Sequence, residues 1–199
     1  LRVYEVEARS ERLLLDPADR KEKIELASYQ WSPKGDALLF RGQNDLWLLD
    51  VQSGQTRRVT NDSEEEELPT FAPMGERVAF VKKNNLHVLD LKSGAIRKLT
   101  TDGSESILNG KLDWVYEEEL ALRASARAYE WSPDGKWIAF IRLDDSQLPE
   151  YPLTDFSAVH ARVIRQRFPQ PGDPNPIPSF HVIAVSEREE HTYTFPLNR

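Results

Sequence analysis

A gapless repeat with a period of forty residues is the feature that most restricts the fold of this chain. The segment from Trp31, WSPKGDALLFRGQNDLWLLDVQSGQTRRVT, aligns with the segment from Phe71, FAPMGERVAFVKKNNLHVLDLKSGAIRKLT. A third copy, WSPDGKWIAFIRLDD, begins at Trp131, which is sixty residues beyond Phe71. Repeats of this length are typical of folds that stack one supersecondary unit several times.

Each copy predicts four short strands joined by tight turns. SPKG and SPDG place Pro and Gly where β-turns require them, and ALLFRG and LWLLD are short runs of strand-forming residues. Four strands in about forty residues indicate one blade of a β-propeller. The predicted fold class is therefore all-β, a partial β-propeller of about three to four blades with a short inserted helix.

The repeats divide the chain into one incomplete blade, three further blades and a helical insert. The predicted organisation is a partial blade over 1–26, blades over 27–62 and 63–103, a helical insert over 104–126, and a blade with a long arm over 127–199. Propellers close with about four to eight blades. We therefore expect further sequence to complete the propeller, and a small closed four-bladed ring is the alternative.

Two acidic runs raise the question of which one serves a ligand. DWVYEEEL lies in the insert, where helix-forming residues follow Asp113, a suitable N-cap. Local rules alone leave open a surface helix whose acidic first turn merely suits the helix dipole. DSEEEEL, over 62–68, joins two blades of regular spacing, and we expect it to be an ordinary solvated connection.

A proline-rich segment over about 144–179 interrupts the last blade. Proline fixes φ and lacks a donor, so the segment predicts extended, edge-like chain. AVHARVIRQRF within it can form a strand. Loops of this length in compact domains are usually functional or disordered, so an arm to another subunit and a flexible flap remain alternatives.

Composition and motifs exclude several classes of function. A net charge of -7 argues against a nucleic-acid partner, and the lack of cysteine excludes disulfides and thiolate metal sites. No metal-ligand spacing, cofactor-binding glycine loop or Gly-x-Ser-x-Gly elbow is present, so we expect no metal, no cofactor and no catalytic residue in the chain. The histidines, each expected to be structural or at the surface, are His87, His160, His181 and His191.

Three segments together resemble a known family. NGKLDWVYEEEL, WSPDGKWIAFIRLDDSQLPEYPL and RFPQPGDPNP are similar to the propeller of the dipeptidyl peptidase IV family, in the prolyl oligopeptidase clan of serine peptidases. The resemblance extends over about residues 1–195. It implies an eight-bladed propeller on an α/β-hydrolase domain, release of N-terminal dipeptides with Pro or Ala second, and a periplasmic or secreted location. The catalytic Ser, Asp and His would lie outside this chain, so the chain alone should be inactive.

The resemblance also assigns residues. It implies that Glu118 and Glu119 bind the α-ammonium of a peptide with a free N-terminus, while Glu117 points elsewhere. Two carboxylates suit an ammonium group, which has three donors. The family's carbonyl-binding arginine would precede residue 1. Leu122 stands where some relatives carry a small polar residue, which leaves fine substrate preference open.

The resemblance further implies that an arm over about 154–178 helps to form a homodimer. The expected partners are thus a peptide substrate, the remainder of the propeller, the hydrolase domain and a second copy of the chain. A non-enzymatic propeller that acts as an interaction scaffold is the alternative. DWVYEEE and RFPQPGDPNP favour the peptidase, because a plain scaffold has no reason to carry them.

Overall fold

The computed structural model describes residues 1–15, 24–119, 125–157, 159–186 and 192–196 of the chain. Among these residues the regular secondary structure consists of β-strands and one short helix. They form two compact units, of which the first comprises Leu1–Lys83, His87–Lys98 and Pro133–Gly135. The second comprises Asn84–Leu86, Leu99–Ser132 and Lys136–Arg199.

The first half of the chain contains a hairpin and two four-stranded sheets. Strands β1 (Arg2–Glu5) and β2 (Ser10–Leu13) pair in the antiparallel hairpin. In both sheets the spatial order of the strands follows the chain. The first sheet contains β3 (Ile24–Trp31), β4 (Ala37–Gly42), β5 (Asp45–Asp50) and β6 (Thr56–Arg58). The second contains β7 (Glu67–Phe71), β8 (Arg77–Lys82), β9 (Asn85–Asp90) and β10 (Ile96–Lys98).

The repeated turn residues explain why both sheets have the same strand order. Gly35 and Gly75 adopt positive φ angles of 71° and 79°, which glycine tolerates best. The Ser32 hydroxyl accepts hydrogen bonds from the backbone N–H groups of Asp36 and Ala37, at 3.1 and 3.0 Å. The turn after Ser32 therefore directs the chain from β3 back into β4. The first two repeats each form the predicted four-stranded sheet, whereas the third copy lies in a five-stranded sheet.

Strand β4 is apolar on both faces, as expected for a strand in the middle of a stack of sheets. Leu38 and Phe40 point to one side, where they pack with Leu14 and Trp47. Leu39 points to the other side and packs in a second cluster that includes Phe80. Side chains alternate along a strand, so the continuous apolar run of β4 supplies two separate cores.

The second unit contains the sheet of the third repeat and the arm. Its sheet has the order β11-β13-β16-β17, and β12 pairs with β13. A separate two-stranded antiparallel hairpin, β14-β15, forms the arm. The elements are β11 (Ile107–Asn109), helix α1 (Trp114–Glu119), β12 (Tyr129–Trp131), β13 (Trp137–Asp144), β14 (Glu150–Asp155), β15 (Arg162–Arg167), β16 (Ile177–Ala184) and β17 (Thr192–Pro196).

The proline-rich insert thus begins as an ordered hairpin, and AVHARVIRQRF contributes β15 as the sequence predicted. The hairpin starts at Glu150, a few residues before the arm expected from Thr154 onward. No helix among the described residues is long and apolar enough to cross a membrane.

Candidate functional site

Helix α1 carries the three consecutive glutamates of the insert and is capped as the sequence predicted. The backbone N–H of Tyr116 donates to Asp113 Oδ1 at 3.0 Å, and that of Glu117 donates to the Asp113 carbonyl at 2.9 Å. Asp113 is therefore the N-cap residue, and its side chain is buried. The cap fixes where the helix begins and hence which way its glutamates point.

Backbone hydrogen bonds join the segments on either side of the helix to each other, and Gly110 N–H donates to the Ile141 carbonyl of the third sheet at 2.9 Å. Leu112 N–H donates to the Ala126 carbonyl at 2.8 Å, and Ala128 N–H donates to the Gly110 carbonyl at 3.0 Å. Gly110 has a φ of 73°, and a Cβ there would lie 2.7 Å from the Leu86 side chain. The close approach at Gly110 requires a residue without a side chain.

An apolar cluster packs against helix α1. Leu108, Leu112, Ala128 and Leu143 are buried together, and Tyr116 of α1 packs against them. Burial raises the pKa of the Tyr116 hydroxyl above its usual value, with a further contribution from nearby carboxylates. The helix is thus fixed by packing as well as by its cap, although it has only six residues.

The three glutamates differ in environment. Glu117 and Glu118 are half-buried, and Glu119 is exposed. Of these three, Glu117 lines a cleft of about 620 Å³ beside the arm, together with Asp113, Asp145 and Arg167. Glu118 and Glu119 are not among the residues that line this cleft. The structure therefore separates the first glutamate of the run from the other two.

Aromatic contacts connect the helix to the base of the arm. The Trp114 ring lies 5.6 Å from the ring of Phe168, which lies 4.6 Å from the ring of Tyr151. Arg167, next to Phe168, donates to the Leu148 carbonyl at 3.0 Å and pairs with Glu150 at 2.5 Å. The start of β14 and the end of β15 are therefore fixed against each other and against α1.

The far end of the arm is exposed and apolar. Phe156 and Val159, near the tip, are 78% and 97% exposed. Leu153, Val163 and Ile164 on the two strands are also exposed. Leu153 pairs directly with Ile164 across the two strands, so these two side chains share one face of the hairpin, whereas Val163 lies on the other face.

Two buried carboxyl groups lie at the amino end of the helix. Asp113 and Asp145 are 7% and 5% exposed. Within the described ranges, no hydrogen bond reaches Asp113 Oδ2 or Asp145 Oδ1. Burial raises the pKa of both side chains, and the charge of Asp113 contributes to a pKa of about 7 for Asp145.

The second acidic run is not the solvated connection expected from the sequence. Glu66 is fully buried, accepts a hydrogen bond from Thr60 at 2.7 Å and lies 3.3 Å from Lys82 Nζ. Asp62 also pairs with Lys82, at 2.6 Å. Glu64 and Glu65 form ion pairs of 2.7 and 2.9 Å with Lys83 and Arg41. The expectation was wrong because strands distant in sequence supply the cations.

The histidines of the described residues agree with their predicted structural or surface roles. His87 is buried and stacks on Phe80 at 5.4 Å, and His181 stacks on Phe140 at 5.0 Å. His160 is exposed. Leu122 and His191 lie outside the described residues. The sequence analysis did not identify Asp145, Phe168 or Glu66, whose partners are far away in the chain.

Comparison with known proteins assigns a family to this arrangement. A family model described as the dipeptidyl peptidase IV (DPP IV) N-terminal region matches residues 1–68 and 63–198. The chain is 32% identical over 194 residues to a probable dipeptidyl-aminopeptidase B of Penicillium rubens, covering 92% of the chain and 17% of the relative. It is 31% identical over 187 residues to a probable dipeptidyl-aminopeptidase B of Talaromyces marneffei, covering 88% of the chain and 16% of the relative. The chain thus spans about a sixth of the length of these curated relatives.

Solved structures agree with the predicted fold. The crystal structure of Porphyromonas gingivalis dipeptidyl peptidase 4 matches with a TM-score of 0.74 and 28% identity, over 88% of this chain and 26% of that one. A putative dipeptidyl aminopeptidase IV from Bacteroides ovatus matches with a TM-score of 0.57 and 20% identity, over 79% of this chain and 20% of that one, which bears on the fold alone. The predicted fold class, an all-β partial propeller, is confirmed.

Proposed function

The chain belongs to the family of dipeptidyl peptidase IV N-terminal regions, and we propose that it selects substrates for a serine-type dipeptidyl peptidase. In this proposal the chain is part of a larger propeller, and a separate α/β-hydrolase domain supplies the catalytic serine, aspartate and histidine. The enzyme releases dipeptides from free N-termini and prefers Pro or Ala at the second position. The observation that carries the proposal is the capped helix α1, which presents consecutive glutamates from a fixed position on the third sheet.

In this function Glu118 and Glu119 bind the α-ammonium group of the substrate. Each carboxylate accepts a charge-assisted hydrogen bond from an ammonium that has three donors. Two neighbouring carboxylates repel each other, and a bound cation relieves that repulsion. The pair therefore favours a free N-terminus over a blocked one, and its fixed distance from the nucleophile sets the length of the released peptide.

The orientation of the helix supports this division of roles among the three glutamates. Successive residues of an α-helix are rotated by about 100° around its axis. Glu117 faces the cleft beside the arm. Glu118 and Glu119 are therefore turned away from that direction, by about 100° and 200°. The amine site proposed here therefore lies on a side of the helix other than the one that faces the cleft.

The function is tested with the full-length protein and two peptides that differ only at the N-terminus. We expect release of Ala-Pro from an Ala-Pro chromogenic substrate with a free amine, and no measurable release from its N-acetyl form. Hydrolysis of both substrates at similar rates would contradict an amine-reading site. Hydrolysis of neither would favour the scaffold alternative.

The arm is proposed to form part of a homodimer interface. Its exposed apolar residues would be covered by a second copy of the same hairpin, as in the two-fold interfaces common among oligomers. Stable interfaces bury about 1,600 Å² in total, so the hairpin would contribute one portion of a larger contact. Phe168 lies at the base of the arm, and its ring contacts serve the helix instead.

Replacing the exposed apolar residues of the arm by serine should shift the full-length protein toward the monomer. The triple variant Phe156→Ser, Val159→Ser, Val163→Ser removes apolar area and leaves Phe168 in place. A deletion of residues 156–172 would be less specific, because it would also remove Phe168. Sedimentation velocity at micromolar concentration measures the result. The control is Met74→Ser, which alters an exposed apolar residue elsewhere and should leave the dimer intact. A triple variant that remains dimeric would refute the role of the arm.

A further inference from the structure

The amino end of α1 contains two carboxyl groups that the proposed function does not use. Asp113 and Asp145 line the same cleft, and both are more than nine-tenths buried. Each has one side-chain oxygen that accepts no hydrogen bond within the described part of the chain. These oxygens are Asp113 Oδ2 and Asp145 Oδ1. A buried carboxylate without a partner is costly, so such an atom calls for an explanation.

Hydrogen bonds hold one side-chain oxygen of Asp113 and the backbone of Asp145 in place. Asp113 Oδ1 caps α1 through Tyr116 N–H. The backbone of Asp145 donates to the Ser106 carbonyl at 2.8 Å and accepts from Leu148 N–H at 2.9 Å, where the arm begins. Asp113 is thus held at the cleft by its capping bond, and Asp145 by its backbone.

The charged neighbours do not neutralise both carboxylates. Burial, Asp113 and Asp144 all raise the pKa of Asp145. Arg167 lowers this pKa, but by less than the other three together raise it. Arg167 itself pairs with Glu150 and the Leu148 carbonyl. Tyr116 also faces the pair, since both aspartates raise the pKa of its hydroxyl. The other charged residues that line the cleft are Glu105, Lys111, Glu117, Glu150 and Arg165.

Two like charges in one buried site are relieved by a cation or by a proton. A proton is the one of these that two carboxyl groups can hold between them without any further ligand. One protonated carboxyl can donate to the other, so a single proton satisfies two unpaired oxygens and removes one charge. We propose that Asp113 and Asp145 share one proton between Asp113 Oδ2 and Asp145 Oδ1, and that this proton anchors the amino end of α1 to the start of the arm.

The proton makes the anchoring of α1 dependent on pH. The pKa of Asp145 rises from 3.8 to about 7 in the folded protein. A carboxyl whose pKa is raised on folding stabilises the folded form fully below its unfolded pKa, and this stabilisation is lost as pH rises through the folded pKa. The protonated pair therefore holds α1 most firmly in acid, progressively less firmly toward pH 7, and with no further change above it.

Hydrogen–deuterium exchange of the full-length protein tests the shared proton without reference to activity. The measurement follows the peptide that covers α1 between pH 5 and 8, with exchange rates corrected for their intrinsic pH dependence. In the wild type we expect protection to fall by about tenfold per pH unit up to about pH 7 and then to level off. In Asp145→Asn, whose amide mimics the protonated acid, the fall should be at least threefold smaller per pH unit.

Two further variants make the exchange test decisive. Asp113→Asn retains an N-cap and should flatten the pH dependence as Asp145→Asn does. Asp144→Asn removes the same charge one residue away, in a side chain that accepts from Ser146 N–H. It should keep the wild-type slope per pH unit and only move the levelling-off to lower pH, because Asp144 raises the pKa of Asp145. Protection that is independent of pH in the wild type would overturn the shared proton, as would a wild-type slope in both Asp113→Asn and Asp145→Asn.

A consequence for substrate binding rests on the proposed function, because α1 carries Glu118 and Glu119. We expect KM for a free-amine substrate to rise toward pH 7 in the wild type more steeply than in Asp145→Asn, with kcat changing equally in both. Identical KM profiles alongside different exchange profiles would overturn the link to the amine site and leave the shared proton standing.

Discussion

Glu118→Gln and Glu119→Gln are each expected to lower kcat/KM for a free-amine Xaa-Pro substrate by about ten- to a hundredfold in the full-length enzyme. Each change keeps the size of the side chain and removes one charge. The loss of a hydrogen bond to a charged group costs about 1.5 to 3 kcal/mol, which corresponds to that range. Steady-state kinetics with a chromogenic dipeptide substrate measures the effect. The fold of α1 should not change, because its cap and supporting contacts come from other residues.

Glu117→Gln is the matched control, since it alters the neighbouring residue of the same helix in the same way. Glu117 lines the cleft beside the arm, and we expect its replacement to change kcat/KM by less than about threefold. Glu65→Gln in the other acidic run should also leave the kinetics unchanged, because its ion pair with Arg41 lies in a different compact unit. Equal losses in all three helix variants would contradict the assignment of the pair.

Glu66→Ala is expected to lower the free energy of unfolding by about 3 kcal/mol, at the lower end of the cost of breaking a buried ion pair. Glu66 is fully buried, and the change removes the acceptor of Thr60 and one partner of Lys82. Lys82 keeps Asp62 as a partner, which limits the loss. Differential scanning calorimetry of the full-length protein, followed at the propeller transition, measures the shift.

The neighbouring residue provides the control for this prediction. Glu65 is exposed and pairs with Arg41 at the surface, so Glu65→Ala should cost less than about 1 kcal/mol. Glu66→Gln should fall between the two, because the amide can still accept from Thr60 but no longer pairs with the Lys82 charge. If Glu66→Ala were no more destabilising than Glu65→Ala, the buried ion pair would not contribute to the stability of the fold.

The sequence predicted those features that depend on neighbouring residues. The forty-residue period, with Pro and Gly at the turns, identified the four-stranded sheets, because turn geometry is encoded within a few residues. Asp113 was recognised as the N-cap of α1 for the same reason, since a cap and its donor are three residues apart. The two glutamates of the proposed amine site came from the resemblance of DWVYEEE to a family and not from local chemistry.

Features that depend on distant partners could not be predicted. Glu66 resembles its exposed neighbours in the sequence, but in the fold it is buried and pairs with Lys82, sixteen residues later. Asp145 looks like part of an acidic turn until β13 brings it to the cleft that Asp113 also lines. Phe168 supports Trp114 from fifty-four residues away. Charge and spacing within a short window carry no information on such contacts.

The central claim is that Glu118 and Glu119 recognise the amine of the substrate, and a double-mutant cycle between protein and substrate tests it most directly. The cycle compares the wild type and Glu119→Gln on an Ala-Pro substrate and on its desamino analogue, which lacks only the ammonium group. We predict that the mutation costs about ten- to a hundredfold in kcat/KM with the amine present, and less than about threefold without it. An equal loss on both substrates would contradict the account, because the carboxylate would then act on something other than the amine.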